Sequence, residues 1–229
     1  MKNIAIITAR GGSKRIPRKN IKEFCGRPII SYSIEAALNS SIFDEVMVST
    51  DDAEIAEISL KYGAKVPFFR SGKTSDDNAV TADVIDEVLQ QYKINGSCFD
   101  YFCCIYPTAP FITAARLKDA IETLIFTKAD SLVPVVRFSF PPQRGLIIKK
   151  DRLNYKWPEN MNTRSQDLEP FYHDCGQFYI MKVEKFLEKR SLITENTIPF
   201  IMQDIEVQDI DTSEDWDIAE MKYKILKNL

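Results

Sequence analysis

Ile4-Ala5-Ile6-Ile7-Thr8-Ala9-Arg10-Gly11-Gly12-Ser13-Lys14-Arg15-Ile16-Pro17-Arg18-Lys19-Asn20 carries more structural information than any other stretch of this chain. A short, unbroken apolar run bounded by glycine reads as a strand covered on both faces, as in a parallel sheet. It passes directly into a turn holding Arg10, Lys14, Arg15, Arg18 and Lys19. Adjacent Gly11 and Gly12 permit close backbone approach and unusual dihedrals, so main-chain N–H groups turn toward an anion. The cations supply the countercharge that a triphosphate, roughly −4 near neutral pH, requires. The expectation is a nucleotide-phosphate cradle at the first strand of an α/β sheet.

Two commoner phosphate motifs do not fit. Gly11 and Gly12 lack the Gly-Lys partner of a P-loop, and Pro17 comes too early for the helix that a dinucleotide fingerprint opens. A solvated basic turn, or a patch for nucleic acid, is the plainer alternative for these charges.

The chain of 229 residues is long enough for one substantial core and short for two independent domains. Its net charge of −3 leaves the cations local, which argues against a general binder of nucleic acid or anionic membrane. No apolar stretch approaches the ~20 residues that span a bilayer. Met1-Lys2-Asn3 followed by a short strand lacks the apolar core and cleavage site of a signal peptide, so the cytoplasm is the expected compartment. Cys25, Cys98, Cys103, Cys104 and Cys175 are odd in number and contain no C-x-x-C pair, which favours reduced thiols, with Cys103 and Cys104 as core fillers. His173 is the single histidine, which excludes metal sites built on several imidazoles. Chemistry therefore falls to carboxylates, cations and a metal ion.

Beyond the first strand, helical and strand-like segments alternate. Strands are expected at Glu45–Ser49, Lys65–Phe69, Phe99–Tyr106, Ser131–Arg137 and Gly176–Lys182, and a strand-like piece at Ile205–Ile210. Helices are expected from Pro28 to about Asn39, from the Asp51-Asp52 cap to Gly63, over Thr81–Tyr92, Thr113–Phe126 and Val183–Glu188, and from Thr212 onward. Repeated β-α-β with short connections implies a mostly parallel sheet covered on both faces, in a single domain spanning 1–229. The ligand then lies along the rim at the strand C-termini. Residues 139–169 break the pattern with prolines and short extended pieces, and read as an inserted arm serving as a lid, a substrate arm or a dimer element.

In Gln208-Asp209-Ile210-Asp211-Thr212, an extended backbone projects Asp209 and Asp211 from one side while Ile210 packs inward. Two acids beside a polyphosphate suggest a Mg²⁺ site. The alternative makes Asp211 or Thr212 a helix N-cap and Asp209 a surface acid.

Ala9–Asn20, Pro107-Thr108-Ala109-Pro110, Arg164-x-Gln166 and Asp209-x-Asp211, in that order, resemble the acylneuraminate cytidylyltransferase family along essentially the whole chain. Cys104-Ile105-Tyr106 and His173-Asp174-Cys175-Gly176-Gln177-Phe178-Tyr179 look most like its pseudaminic-acid branch. The resemblance implies a three-layer, Rossmann-like sheet of the nucleotidyltransferase (glycosyltransferase-A-like) type. It also implies an enzyme that joins CTP to a nine-carbon keto-sugar acid with Mg²⁺, giving the CMP-sugar and pyrophosphate.

By the same likeness Arg10, Gly11, Gly12, Ser13 and Lys19 hold the triphosphate, with Lys19 nearest the α-phosphate. Asn20, Arg70 and Thr81 read the cytosine and ribose. Tyr106, Arg164, Gln166 and Gln177 face the sugar, Arg164 pairing with its carboxylate. Arg10, Lys19, Asp209 and Asp211 carry catalysis, and the two aspartates bind the metal. Arg70 has an alternative partner in Asp76 or Asp77, Arg164 has one in Asp167, and Tyr106 has the alternative of a core aromatic. The sialic-acid branch carries Gln where Tyr106 stands, which favours pseudaminate over N-acetylneuraminate. Sialic, legionaminic and octulosonic acids remain alternative substrates, and a nucleotide-binding protein without turnover an alternative class. The arm at 139–169 resembles the family's dimer arm, implying a homodimer.

Overall fold

Alternation within Ile4-Ala5-Ile6-Ile7 sends side chains to both faces of the first strand, and all four are fully buried. That double burial organises the computed structural model, which describes residues 1–76 and 79–228. In chain order the elements are β1 (Asn3–Thr8), β2 (Glu23–Phe24), β3 (Arg27–Pro28), α1 (Ile30–Ser40), β4 (Glu45–Ser49), α2 (Ala53–Lys61), α3 (Gly72–Ser75), α4 (Thr81–Ile94), β5 (Tyr101–Ile105), α5 (Ala114–Thr127) and β6 (Ser131–Arg137). They continue with β7 (Leu146–Lys149), β8 (Arg152–Tyr155), β9 (Tyr172–Asp174), β10 (Phe178–Lys182), α6 (Val183–Lys189), β11 (Thr197–Ile201) and α7 (Ser213–Lys227).

The main sheet has seven strands in the order β11-β6-β10-β5-β1-β4, with β9 paired to β6. β1 lies parallel to β4 and β5, and β11 is parallel to β6, while β10 runs antiparallel between β5 and β6. Ala5, Ile7 and Cys103 face α1, α2 and α5, burying Ile34, Ile55, Leu117 and Leu124. Ile4, Ile6 and Cys104 face α4 and α6, burying Ile85, Val88 and Phe186. Three layers result, and the adjacent cysteines fill the core on opposite faces as free thiols.

A third apolar cluster positions the site. Ile16 from the cationic turn, Ile210 from between the aspartates, Phe24, and Trp216 of α7 pack together. Phe24 meets Tyr32, Trp216 and Tyr223 edge-on, at centroid distances of 5.6, 5.5 and 5.5 Å.

Several local expectations are corrected. Pro28 lies in the β2–β3 ribbon, and α1 starts two residues later. Of Lys65–Phe69, only Lys65 pairs, in an isolated bridge to Met47; Pro67 lacks the N–H to continue a ladder. Ile205–Ile210 is not a strand: Asp204–Glu206 form a 3₁₀ turn and the rest runs unpaired toward α7. The strand that completes the sheet is β11, which carries Pro199 at the sheet edge, where a missing donor is tolerated. Within the stretch expected to be an inserted arm, β7 and β8 pair as an antiparallel hairpin whose turn residues Lys150 and Asp151 both have positive φ.

Candidate active site

The cationic turn leaves β1 at Ala9, whose N–H bonds to the Ser49 carbonyl of β4. Gly11 then passes against the N-terminus of α2, donating its N–H to Asp51 Oδ1 at 2.9 Å. A Cβ on Gly11 would lie 2.7 Å from Asp52 Oδ2, so glycine is required by close approach. Asp52 caps α2 by accepting from the N–H groups of Glu54 and Ile55. The same carboxylate receives a fork from Arg18, at 2.5 and 3.0 Å, and Arg18 also reaches Glu54. The Arg18 hydrogen bonds lower the Asp52 carboxyl pKa from an ordinary 3.8 to about 2 and raise that of the guanidinium. Arg18 therefore buckles the turn to α2. Asn20 folds it inward: its amide is buried and donates to the Arg10 carbonyl at 2.8 Å.

Side chains from three elements strap the acidic segment in place. Gln177, before β10, donates to the Glu206 carbonyl at 2.6 Å. Arg116 of α5 forks onto the Glu206 carboxylate, at 2.9 and 2.7 Å. Lys222 of α7 donates to the carbonyls of Asp204 and Val207, at 2.9 and 2.8 Å. Thr212 caps α7 in a reciprocal box with Asp215, so the cap role falls to Thr212 and leaves the Asp211 carboxylate to other partners.

The two ends of the chain meet here. Asp211 Oδ1 lies 2.7 Å from Arg15 and 3.6 Å from Lys19 Nζ, and Lys19 donates to the Ile210 carbonyl at 2.6 Å. Asp209 keeps contact with solvent on one side of a recess it shares with Asp211 and His173. Burial, and then the neighbouring Asp211, raise its carboxyl pKa, with Lys19 opposing. His173, the lone imidazole, lies tilted against Phe138 with ring centroids 4.6 Å apart.

Arg10, Ser13, Lys19, Asn20, Tyr106 and Thr108 line one cleft of about 390 Å³. The Tyr106 hydroxyl meets Thr81 Oγ1 at 3.1 Å, at the first turn of α4. Tyr106 packs edge-on to Tyr179 with centroids 5.6 Å apart. Tyr179 donates in turn to Asp174 Oδ2 at 2.5 Å. Burial raises the pKa of both phenols, so they stay protonated. Arg70 is buried behind the rim, donating to Ser49 Oγ at 3.1 Å and to the Ser49 carbonyl at 2.7 Å, and its pKa is lowered by that burial. Its alternative partner Asp77 lies outside the described residues.

The structure thus brings the cationic turn, Asp209, Asp211, Thr81 and Tyr106 to one rim. It does not bring the rest of the expected sugar side there. Arg164 is largely exposed on the arm and forks onto Asp167, at 2.8 and 3.4 Å. Gln166 lines a separate recess with Arg137 and Phe138. Gln177 is 1% exposed and spends its amide on the Glu206 carbonyl. Sequence reasoning missed Arg15 as the direct partner of Asp211, and missed Tyr179 and Asp174 behind Tyr106. Tyr179 is signalled only by its alternation with Phe178 and Ile180 along β10.

Comparison with known proteins finds relatives along nearly the whole chain. The cytidylyltransferase family profile matches residues 4–154. Over 226 residues the chain is 43% identical to the pseudaminic acid cytidylyltransferase of Campylobacter jejuni, covering 98% of this chain and 97% of that one. It is 34% identical over 227 residues to the CMP-N,N'-diacetyllegionaminic acid synthase of Legionella pneumophila, covering 96% and 95%. The fold matches the CTP complex of a CMP:2-keto-3-deoxy-manno-octonic acid synthetase with a TM-score of 0.70, at 16% identity and over the full length of both chains.

Proposed function

The chain belongs to the cytidylyltransferase family, and from that premise we propose that it joins CTP to free pseudaminic acid, giving the CMP-sugar and pyrophosphate. It is a nucleotidyltransferase that makes a CMP-nonulosonate. The contact of Lys19 with the Ile210–Asp211 segment carries the assignment, because it unites a phosphate-type turn with paired carboxylates. The choice of pseudaminate among nonulosonates draws support from the Campylobacter relative and from Tyr106 on the cleft wall.

In the reaction the anomeric hydroxyl oxygen attacks the α-phosphorus of CTP and loses its proton. The bond from that phosphorus to the bridging oxygen breaks, and pyrophosphate departs. Lys19 and Arg10 stabilise charge developing on the α-phosphate and on the leaving group. Gly11, Gly12 and Ser13 seat the phosphates, while Asn20, Arg70 and Thr81 serve the nucleoside. Positioning dominates, as for phosphorus transfer between oxygens generally.

Asp209 and Asp211 would hold Mg²⁺. Both are hard oxygen donors on one rim, and burial followed by repulsion from Asp211 raises the Asp209 pKa, a strain that a divalent cation relieves. Among the described residues no third acid or imidazole joins them in a ligand cluster, so the remaining coordination would fall to phosphate oxygens and water. Bound there, the ion supplies charge neutralisation on the phosphates.

Exposed Phe140, Ile148 and Leu153 on the arm support a homodimer formed through residues 139–169. Arg164 and Gln166 would then act from the arm toward a sugar site. Among the described residues no helix is long and apolar enough to cross a membrane, and free thiols suit the cytoplasm.

The test incubates purified protein with CTP, Mg²⁺ and separate keto-sugar acids, and resolves the products. CMP-pseudaminate in preference to CMP-sialate, CMP-legionaminate or CMP-octulosonate is expected. Tight CTP binding with no pyrophosphate release from any acid would overturn the enzyme assignment.

A further inference from the structure

Arg70 is a buried cation whose hydrogen-bond partners among the described residues are all uncharged. Two of its contacts go to the hydroxyl and carbonyl of Ser49, and the third, at 3.5 Å, goes to the Thr74 carbonyl in α3. A buried guanidinium with no carboxylate in contact depends on how firmly its neutral partners are held. Ser49 is held by the β4 ladder to β1. The α3 turn has no ladder, and its anchor is Glu87 on α4. Glu87 Oε1 accepts from the Ser71 N–H at 2.8 Å, and Oε2 accepts from the hydroxyls of Ser71 and Thr74 at 2.5 and 2.7 Å. Burial opposes the charge on Glu87, but the Ser71 and Thr74 bonds and the nearby Arg70 outweigh it, so its carboxyl pKa is lowered. The same turn leads directly to Asp76, whose carbonyl accepts from Arg10 at 3.0 Å. One short turn thus touches two cations of the site, one serving the nucleoside and one the triphosphate.

We propose that Glu87 is a positioning residue for the nucleotide half of the reaction: by clamping Ser71 and Thr74 to α4 it sets the α3 turn, and through that turn the reach of Arg70 and Arg10 toward CTP. The proposal rests on the CTP-dependent activity assigned above and adds to it a residue that does not line the cleft. Glu87 acts only through the turn it holds.

Glu87→Ala and Glu87→Gln separate the clamp from its charge. Glutamine Oε1 still accepts the Ser71 N–H, and its NH₂ donates to the two hydroxyl oxygens, so the turn stays tied to α4. Alanine releases all three groups. Calorimetry of the purified full chain with CTP and Mg²⁺, without sugar, should show affinity about tenfold weaker in Glu87→Ala and within about twofold of wild type in Glu87→Gln. In steady-state kinetics KM for CTP should rise in step, while KM for pseudaminic acid stays at its wild-type value. A general loss of packing would not divide the two substrates in this way. In an Arg70→Lys background, Glu87→Ala should cost only about threefold, because one of the two cations set by the turn is already lost.

Unchanged CTP affinity in Glu87→Ala, beside a wild-type protein that binds CTP, overturns the proposal and leaves the enzyme assignment standing. Equal rises in both KM values, or an undiminished loss in the Arg70→Lys background, also overturn it. So does a Glu87→Gln protein as weak as Glu87→Ala, since the effect would then lie in the charge and not in the clamp. Should Glu87→Ala fail to fold, Thr74→Val removes one bond of the clamp and should still raise KM for CTP about threefold; no rise there overturns the proposal. Failure of the wild-type chain to bind CTP would instead overturn the activity itself.

Discussion

Lys19 Nζ lies 2.6 Å from the Ile210 carbonyl oxygen and 3.6 Å from Asp211 Oδ1, so the N-terminal turn and the C-terminal acids form one electrostatic unit. Arg15 joins it at 2.7 Å from the same Asp211 oxygen. The cations that would take a triphosphate are therefore neutralised by the acid that would take a metal. A metal-nucleotide entering here would find Lys19 and Arg15 as partners for phosphate oxygens and the Asp211 carboxylate as a partner for the cation. The shared packing of Ile16 and Ile210 holds the two segments side by side.

Asp211→Ala should lower turnover by roughly 10²–10³-fold or more, the scale of losing one pre-organised charge contact. Stability should barely move, since exposed ion pairs contribute only about 0–1 kcal/mol. Pyrophosphate release and thermal melting, measured together, check both halves. Near-normal release would remove Asp211 from the metal assignment.

Gly11 and Gly12 should respond differently to the same methyl group. A Cβ on Gly11 meets Asp52 Oδ2 at 2.7 Å and Asp52 Cβ at 3.0 Å, whereas one on Gly12 meets nothing within 4 Å. Gly11→Ala is expected to cost about 1–3 kcal/mol, the usual range for overpacking, and to weaken CTP binding with it. Gly12→Ala should melt within about 0.5 kcal/mol of wild type. Any loss of CTP affinity in Gly12→Ala, read by calorimetry, would then report approach of the nucleotide itself.

The part of the fold legible in sequence is the part governed by local periodicity. β1, β4, β5, β6 and β10 follow from apolar runs, and the helices that cover them follow from their stripes and caps. Pro199 hides β11, because a proline inside a five-residue run argues against a strand unless the run is known to lie at an edge. The segment around Ile205 alternates like a strand, but its carbonyls at Asp204, Glu206 and Val207 are taken by the side chains of Lys222 and Gln177 instead of a neighbouring strand. Asp209 and Asp211 are legible as a pair, since Ile210 between them must be buried. Arg18 and Arg15 are indistinguishable in sequence: one is spent on Asp52 and the other meets Asp211, a division set only by the fold.

Arg18→Ala tests that division. Asp52 has its pKa lowered to about 2 in the folded chain, so its contribution is present above the ordinary carboxyl pKa and is lost as pH falls from about 4 through about 2. The arginine side chain is 39% exposed and the aspartate 21%, so screening leaves ~1 kcal/mol of the larger figure that the shift alone would imply. Denaturant unfolding at pH 7 should show Arg18→Ala less stable by about that amount. Between pH 4 and pH 2 the two proteins should converge. Parallel curves across that window would show that Asp52 does not depend on Arg18.

Gln177→Met separates a strap from a sugar contact. The amide is 1% exposed and donates to the Glu206 carbonyl, while its Oε1 has no partner among the described residues. Methionine keeps the volume and the apolar packing but orphans the carbonyl, at a cost of about 1–3 kcal/mol, offset in part by removing the unpartnered Oε1. Arg116 still holds the Glu206 side chain, so the segment stays attached with looser register. A shift near 1 Å in Asp209 or Asp211 costs roughly 10²-fold in a positioned reaction, so kcat should fall by about tenfold to a hundredfold. KM for the sugar should stay close to wild type, because the side chain does not reach the cleft. The opposite pattern, a raised sugar KM with kcat retained, would return Gln177 to the sugar wall and require the Glu206 bond to open in the working enzyme.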